Sequence, residues 1–307
     1  MTAEHPSGPS RIQIQTQSGC NGRCAFCPNA AVLESGLAQG RMPPELFHKI
    51  IDELAGLAPR RVSLYLMNEP LLDGRLAEFV RYVTDRIPDT ATLVTTNGTH
   101  LDERCAEELI AAGLSRIKVS LQSIHPETNR RLMGPQIDAE RVVRNVLTLR
   151  RLITERRAKL DLRVSMVVTT LNAHELPRTR RFWRNHGVRL VTSAVENRGG
   201  SIEGADTLSG GQMQARSAYC IRPNREMCIL FNGDVVLCCV DWFRTTVLGN
   251  VARQSVAEVW NGPAFSEVRA ALASKDLEKQ PDICVHCTEA ARPAARRRLT
   301  AIFSRRP

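Results

Sequence analysis

Residues 11–28 read RIQIQTQSGCNGRCAFCP. The first seven alternate apolar and polar side chains, as a strand with one buried face does. Gly19 then opens a short loop that carries Cys20, Cys24 and Cys27. A loop after a strand is where α/β folds gather their reactive groups. The strand at 11–17 also begins a series. Further apolar, β-branched runs lie at 61–67, 91–95, 116–121, 161–168 and 188–193. Helical periodicity fills the gaps at about 43–57, 75–87, 102–112, 138–156 and 173–186. Gly113 stands where the third helix needs a stop. Repeated strand–helix units imply a parallel sheet with helices outside it. About six units fall short of the eight in a closed barrel. The expected fold is therefore α/β: an open, partial (β/α)6 TIM-like barrel over residues 1–196.

Residues 197–218 are rich in Gly, Ser and polar side chains, and are expected to be a loop or linker. Strand patterns at 226–231 and 234–238 flank Asn232-Gly233, a hairpin signal. A helical stretch follows at about 255–273, then the Cys284–Cys287 pair. This β-hairpin and helix unit is expected to form a small C-terminal domain over 197–290, with a basic tail at 291–307.

The 307 residues carry 42 Lys+Arg against 32 Asp+Glu, a net charge of +10, and nearly all the bases are Arg. Such an excess suits an anionic cofactor or substrate, or simply a solvated surface. No basic motif interleaved with aromatics is present, so nucleic acid is not an expected partner. No apolar stretch reaches membrane-spanning length, and Met1 to Ser10 lacks an apolar signal core. The expected location is the cytoplasm, where thiols stay reduced.

The ten cysteines are then better read as metal ligands than as disulfides. Three lie within eight residues near the N-terminus, and six lie between Cys220 and Cys287. Three thiolates on one loop can bind three irons of a cubane and leave the fourth iron open. An open coordination position is a reactive one. A zinc site or three buried thiols is the bland alternative. In the second set, Cys220, Cys238, Cys284 and Cys287 supply four thiolates. These can close a [4Fe-4S] cluster or a zinc site, and spacing alone does not choose. Cys105 falls in a helical pattern and Cys228 in a strand, both as packing residues. Cys239 adjoins a ligand and is left without an assigned partner.

The C-x3-C-x2-C spacing, with Phe26 before the third Cys, resembles that of the radical S-adenosylmethionine superfamily. That likeness implies that S-adenosylmethionine chelates the open iron. It also implies that a 5′-deoxyadenosyl radical abstracts a hydrogen atom from the substrate. Met67-Asn68-Glu69-Pro70 resembles the family's Gly-Gly-Glu-Pro segment, with Met67 and Asn68 in place of both glycines. By this likeness Asn68 and Glu69 meet the cofactor's amino group, Asn97, Ser120 and Gln122 contact its other parts, and Phe26 packs near the adenine. The second cysteine region resembles the twitch form of the SPASM auxiliary-cluster extension, which implies an auxiliary [4Fe-4S] cluster. Among such enzymes the chain is similar to the radical dehydrogenases of aminoglycoside biosynthesis. The shared points include Asn197-Arg198-Gly199-Gly200 and Gly249-Asn250. That likeness places Arg198 at the substrate's reacting hydroxyl. It implies oxidation of an aminocyclitol or aminosugar alcohol to a ketone, with an external electron donor such as flavodoxin or ferredoxin.

Two other outcomes stay open. Cys239 as a hydrogen-atom donor would make the enzyme an epimerase. A peptide-modifying enzyme is the third reading, although Cys20 is expected to lie too near the start for an added peptide-recognition domain.

Overall fold

A computed structural model describes residues 8–213 and 219–288. The expected basic tail at 291–307 lies outside the described residues. Six strands form the expected series: β1 (Arg11–Ile14), β2 (Arg61–Ser63), β3 (Ala91–Thr96), β4 (Arg116–Ser120), β5 (Asp161–Val168) and β6 (Arg189–Ala194). Every neighbouring pair in this series is parallel. The connecting helices are α1 (Asn29–Glu34), α2 (Pro44–Ala55), α3 (Leu76–Arg86), α4 (Glu103–Ala111), α5 (Pro126–Met133), α6 (Ala139–Glu155) and α7 (Leu176–Asn185). Asp102 and Asp138 cap α4 and α6 by accepting the Cys105 and Glu140 amides.

The strand pattern fixes which side chains face the helices. In β4, Ile117 and Val119 are fully buried against the outer layer. Arg116, Lys118 and Ser120 point the other way, as the two-residue period requires. In β5 the same rule turns Asp161, Arg163, Ser165 and Val167 inward. The barrel therefore has an apolar outer core and a mostly polar lumen. Arg116 and Arg163 both bind Asp161, at 2.7 and 2.6 Å, and form the floor of this part of the lumen.

The C-terminal segment adds α8 (Ala205–Ser209), β7 (Glu226–Ile229), β8 (Asp234–Val236), β9 (Val247–Asn250), α9 (Val256–Asn261), α10 (Pro263–Ser274) and α11 (Asp282–His286). The hairpin forms at Asn232-Gly233, with Gly233 at φ +87°. It does not stand apart from the barrel. β7 pairs parallel with β1, from Arg11 opposite Glu226 to Ile14 opposite Ile229. One nine-stranded sheet results, in the order β6-β5-β4-β3-β2-β1-β7-β8-β9. The fully buried β7 supplies the reason, since its four residues need cover on both faces.

Other departures from the sequence reading have local causes. The 255–273 helix is two helices, because Pro263 starts a new one after Gly262. Ser255 and Glu258 form a capping box at the start of the first. The 197–218 loop contains α8, bounded by Gly204 and Gly210 in left-handed backbone. The strand expected at 61–67 stops at Ser63, and Met67 turns left-handed at φ +53°.

Candidate active site

The carboxyl ends of β1 to β6 surround a cavity of about 890 Å³, counting solvent at its mouth. Cys20, Cys24 and Cys27 line it, together with Phe26, Asn68, Glu69, Asn97, Ser120, Gln122 and Arg198. The fold thus brings together every residue expected around S-adenosylmethionine, and Arg198 with them.

The cysteine loop is held by its backbone. The amides of Arg23 and Ala25 donate to the carbonyls of Met133 and Leu132, at 3.1 and 2.9 Å. The Gly22 amide donates to Cys20 Sγ at 3.3 Å, and Asn29 Nδ2 donates to the Cys20 carbonyl at 3.4 Å. Burial pushes the Cys20 thiol up to about 12, with Glu69 and Cys27 adding to the rise. Burial also raises Cys24 well above its ordinary value, and Cys27, Cys20 and Glu69 raise it further. Cys27 is raised by burial as well. The site crowds potential anions into a dry place, an arrangement that iron would neutralise. Among the described residues, no three His, Cys, Asp or Glu groups converge on a single metal ion. The thiols frame open space instead, which suits a multi-iron cluster.

Glu69 is buried and accepts three hydrogen bonds. These come from Leu71 N at 3.0 Å, Thr96 Oγ1 at 2.5 Å and Asn97 N at 2.6 Å. Burial nevertheless raises its carboxyl to about 7. Among the described residues no ion pair engages it, so a cation in the cavity would complete its environment. Asn68 Nδ2 is buried without a hydrogen-bond partner. An acceptor carboxylate and an orphaned amide donor on one wall fit the ammonium and carboxylate of S-adenosylmethionine. The left-handed Met67 that sets this wall costs about 1–2 kcal/mol. Its side chain is buried with Leu66, Cys228 and Trp242, and such burial contributes about 1.5–3 kcal/mol. Packing therefore offsets the missing glycine.

The other expected contacts lie around the same cavity. Asn97 Nδ2 donates to Asn21 Oδ1 at 2.7 Å and ties the third strand end to the cysteine loop. Ser120 Oγ lies 3.4 Å from Ser165 Oγ. Gln122 Oε1 accepts the Val167 amide at 2.6 Å. Arg198 sits at φ +51°, and its Nη1 lies 3.3 Å from Glu196 Oε2. It thus has a salt bridge and also faces the cavity. Burial works against its charge, but Glu196, Tyr65 and Cys239 hold the guanidinium above its ordinary range. Asn197 anchors this loop by donating to the His286 carbonyl at 2.6 Å and accepting the Thr288 amide at 3.1 Å.

The second cysteine set surrounds a separate cavity of about 440 Å³. Cys220, Cys238, Cys284 and Cys287 line it with Leu237, Val240, Leu272 and Ile283. Four half-buried thiols against largely apolar walls fit a closed cluster. Burial raises Cys220 and raises Cys238 well above its ordinary value. Arg269 stacks over Trp260 and Phe265 and donates to the Pro223 carbonyl at 3.0 Å, which fixes the loop after Cys220. Cys239 lines neither cavity. Its Sγ accepts a hydrogen bond from Arg222 Nη1 at 2.9 Å. Cys105 and Cys228 are packing residues, as expected.

The topology sets the two cysteine sets apart. Cys20, Cys24 and Cys27 follow the carboxyl end of β1. β7 runs parallel to β1 and β8 antiparallel to it, so Cys220, before β7, and Cys238, after β8, lie at the opposite edge. The sequence reading missed Tyr65, Lys118, Ser165, Glu196 and Trp242 near this lumen. Lys118 and Ser165 were legible in principle, by counting in twos from Ser120 and along β5.

A partial barrel with an open three-cysteine loop at one end and a four-cysteine nest at the other defines a two-cluster iron–sulfur enzyme. The chain belongs to the radical SAM superfamily, whose family model matches residues 14–182, and an iron–sulfur cluster-binding domain of the SPASM type matches residues 220–288. With the family come a [4Fe-4S] cluster that binds S-adenosylmethionine and an auxiliary [4Fe-4S] cluster. The chain is 24% identical to the S-adenosyl-L-methionine-dependent 2-deoxy-scyllo-inosamine dehydrogenase of Niallia circulans, over 91% of this chain and 92% of that one. It is 30% identical to the GTP 3′,8-cyclase of Aquifex aeolicus, over 58% of this chain and 54% of that protein. In fold it resembles BtrN in complex with AdoMet and 2-DOIA, with TM-score 0.61, 22% identity, and 91% and 92% of the two chains covered. It also resembles Streptococcus suis SuiB bound to precursor peptide SuiA, with TM-score 0.67, 16% identity, and 86% and 67% covered. No helix among the described residues is long and apolar enough to cross a membrane.

Proposed function

We propose that this chain is a radical dehydrogenase that oxidises a hydroxyl-bearing carbon of an aminocyclitol or aminosugar to a ketone. The observation that carries this reading is the lumen between the two cysteine sets, with Arg198 facing it. The dehydrogenase of Niallia circulans, matched along nearly its whole length, supports the substrate class. Cys20, Cys24 and Cys27 hold the cluster at the mouth, and Cys220, Cys238, Cys284 and Cys287 hold the auxiliary one. Glu69 and Asn68 bind the amino acid end of S-adenosylmethionine, while Asn97, Ser120, Gln122 and Phe26 contour the rest of its pocket. The chemistry supplied by the bound S-adenosylmethionine and its cluster is removal of one hydrogen atom from a substrate carbon. Arg198, fixed in charge by Glu196, donates hydrogen bonds to the substrate hydroxyl and orients it. Cys239 is engaged as an acceptor by Arg222, which favours oxidation over hydrogen-atom return from its sulfur. Residues 1–196 form the barrel unit and 197–290 the auxiliary unit. A flavodoxin or ferredoxin of the cytoplasm reduces the first cluster.

The test is an anaerobic reaction in deuterated water with 2-deoxy-scyllo-inosamine and related aminocyclitols. A product two hydrogens lighter supports dehydrogenation. A product of unchanged connectivity with one carbon-bound deuterium overturns it in favour of epimerisation through Cys239. No 5′-deoxyadenosine with any of these compounds sinks the substrate class.

A further inference from the structure

Alcohol oxidation by this route releases one proton and one electron from the carbon-centred radical, and the proton needs an acceptor in the lumen. Five titratable groups in or beside the lumen outside the cysteine sets come into question: Tyr65, Glu69, Lys118, Glu196 and Arg198. Glu69 already accepts hydrogen bonds from Leu71, Thr96 and Asn97, and the reading above gives it to the ammonium of S-adenosylmethionine. Glu196 is paired with Arg198. Burial raises Tyr65 further from deprotonation, and Arg198 is held charged. Lys118 differs in placement. It projects inward from the middle of β4, opposite Thr95 on one side and Arg163 on the other. Arg163 turns away from it to Asp161, so the floor carboxylate is taken by two arginines. No ion pair engages Lys118 among the described residues, although it lines the same cavity as Glu69 and Arg198. One layer nearer the mouth, Ser120 and Ser165 face each other across the same pair of strands.

We propose that Lys118 is the catalytic residue that accepts the hydroxyl proton while Arg198 orients the oxygen. This rests on the dehydrogenase reading above. In the step, the O–H bond breaks and its electron pair stays on oxygen. The proton goes to Lys118 Nζ, and the unpaired electron would pass to a one-electron acceptor, the chemistry that an auxiliary iron–sulfur cluster held by Cys220, Cys238, Cys284 and Cys287 would supply. The C=O bond then completes. A lysine does this only if its amine is neutral beforehand. Burial lowers Lys118 from its ordinary value, and the charges of Arg198 and Arg61 lower it further, against Cys239 and Glu196, which act the other way.

The experiment uses the two-cluster enzyme with 2-deoxy-scyllo-inosamine deuterated at the reacting carbon. Lys118→Arg keeps a cation of similar reach but cannot act as a base at neutral pH. Lys118→Ala opens space for an added amine. In both variants, substrate affinity by calorimetry and deuterium transfer into 5′-deoxyadenosine are expected to persist. Ketone formed per 5′-deoxyadenosine is expected to fall by about 10²–10⁴-fold, the range of a lost general base. Added methylamine should restore oxidation by Lys118→Ala, with a pH profile that follows the added amine. Lys118→Arg oxidising at the native rate with the native pH profile overturns the proposal. If Lys118→Ala retains substrate affinity but no amine restores it, a positioning role replaces the proposal. If the native enzyme itself yields no ketone, the dehydrogenase reading fails, and this one falls with it.

Discussion

Replacing Gly199 by Ala tests how the loop bearing Arg198 is coupled to the auxiliary nest. Gly199 has φ +68°, and a Cβ there would lie 2.5 Å from Ile283 Cγ1 and 3.1 Å from its Cδ1. Ile283 lies in α11 next to Cys284, and it lines the four-cysteine cavity. Two costs add. Left-handed backbone costs a residue with a Cβ about 1–2 kcal/mol. Forcing a methyl into a packed contact costs about 1–3 kcal/mol more. The expected destabilisation is about 2–5 kcal/mol, or a fall in melting temperature of roughly 4–10 °C. Gly204→Ala is the control. Its φ is +71°, but a Cβ there meets nothing within 4 Å. It should lose only the backbone part, about 1–2 kcal/mol or roughly 2–4 °C. Melting of the iron-loaded proteins under anaerobic conditions gives both numbers. Iron analysis should show auxiliary-cluster loss in Gly199→Ala alone. If the two variants melt together with full iron, Gly199 and Ile283 are not in tight contact and the reasoning is refuted.

Three further outcomes follow from other parts of the site. The native chain should bind about eight Fe, while Cys24→Ala and Cys238→Ala should each retain about four, since each breaks one of two [4Fe-4S] sites; zinc in place of iron would contradict the assignment. Glu69→Gln replaces a carboxylate oxygen that accepts from Thr96 or Asn97 with a donor. It should weaken S-adenosylmethionine binding by about 10–100-fold in equilibrium dialysis, since hydrogen bonds to a charged group are worth about 1.5–3 kcal/mol; an unchanged affinity would falsify the contact. Asp161 is held below its ordinary carboxylate value by hydrogen bonds from Arg163 and then Arg116. Its stabilising effect should be present above about pH 4 and lost as the pH falls through the lowered folded value. At 37% side-chain exposure that effect is below about 1 kcal/mol. Asp161→Asn should therefore melt slightly below the native protein at pH 7, with the gap closing in acid; a gap that widens in acid would count against the floor pairing.

The barrel was legible because strand and helix periods differ, and each apolar face in β4, β5 and the flanking helices follows its own period. The cysteine sets were legible because thiols at fixed short spacing have few other uses in a chain of this kind. What sequence hid was of two sorts. The pairing of β7 with β1 joins residues more than two hundred positions apart, and no local pattern in EMCI states its neighbour. The lumen chemistry was hidden for a different reason. Lys118 looks like an ordinary solvated strand charge until Asp161 is seen to be shared by two arginines. Met67 read as a poor substitute for glycine, and only the buried space around its side chain shows why it is tolerated.

The β1–β7 ladder also acts as a ruler. Four residues are in register along it, about 10 Å at roughly 3.3 Å per residue. One cysteine loop leaves its far end, and the other set approaches its near end. The path an electron would travel between them is thus measured by covalent rise and backbone hydrogen bonds, not by the sway of a linker. The separation of the two cysteine sets is written into one hydrogen-bonded sheet.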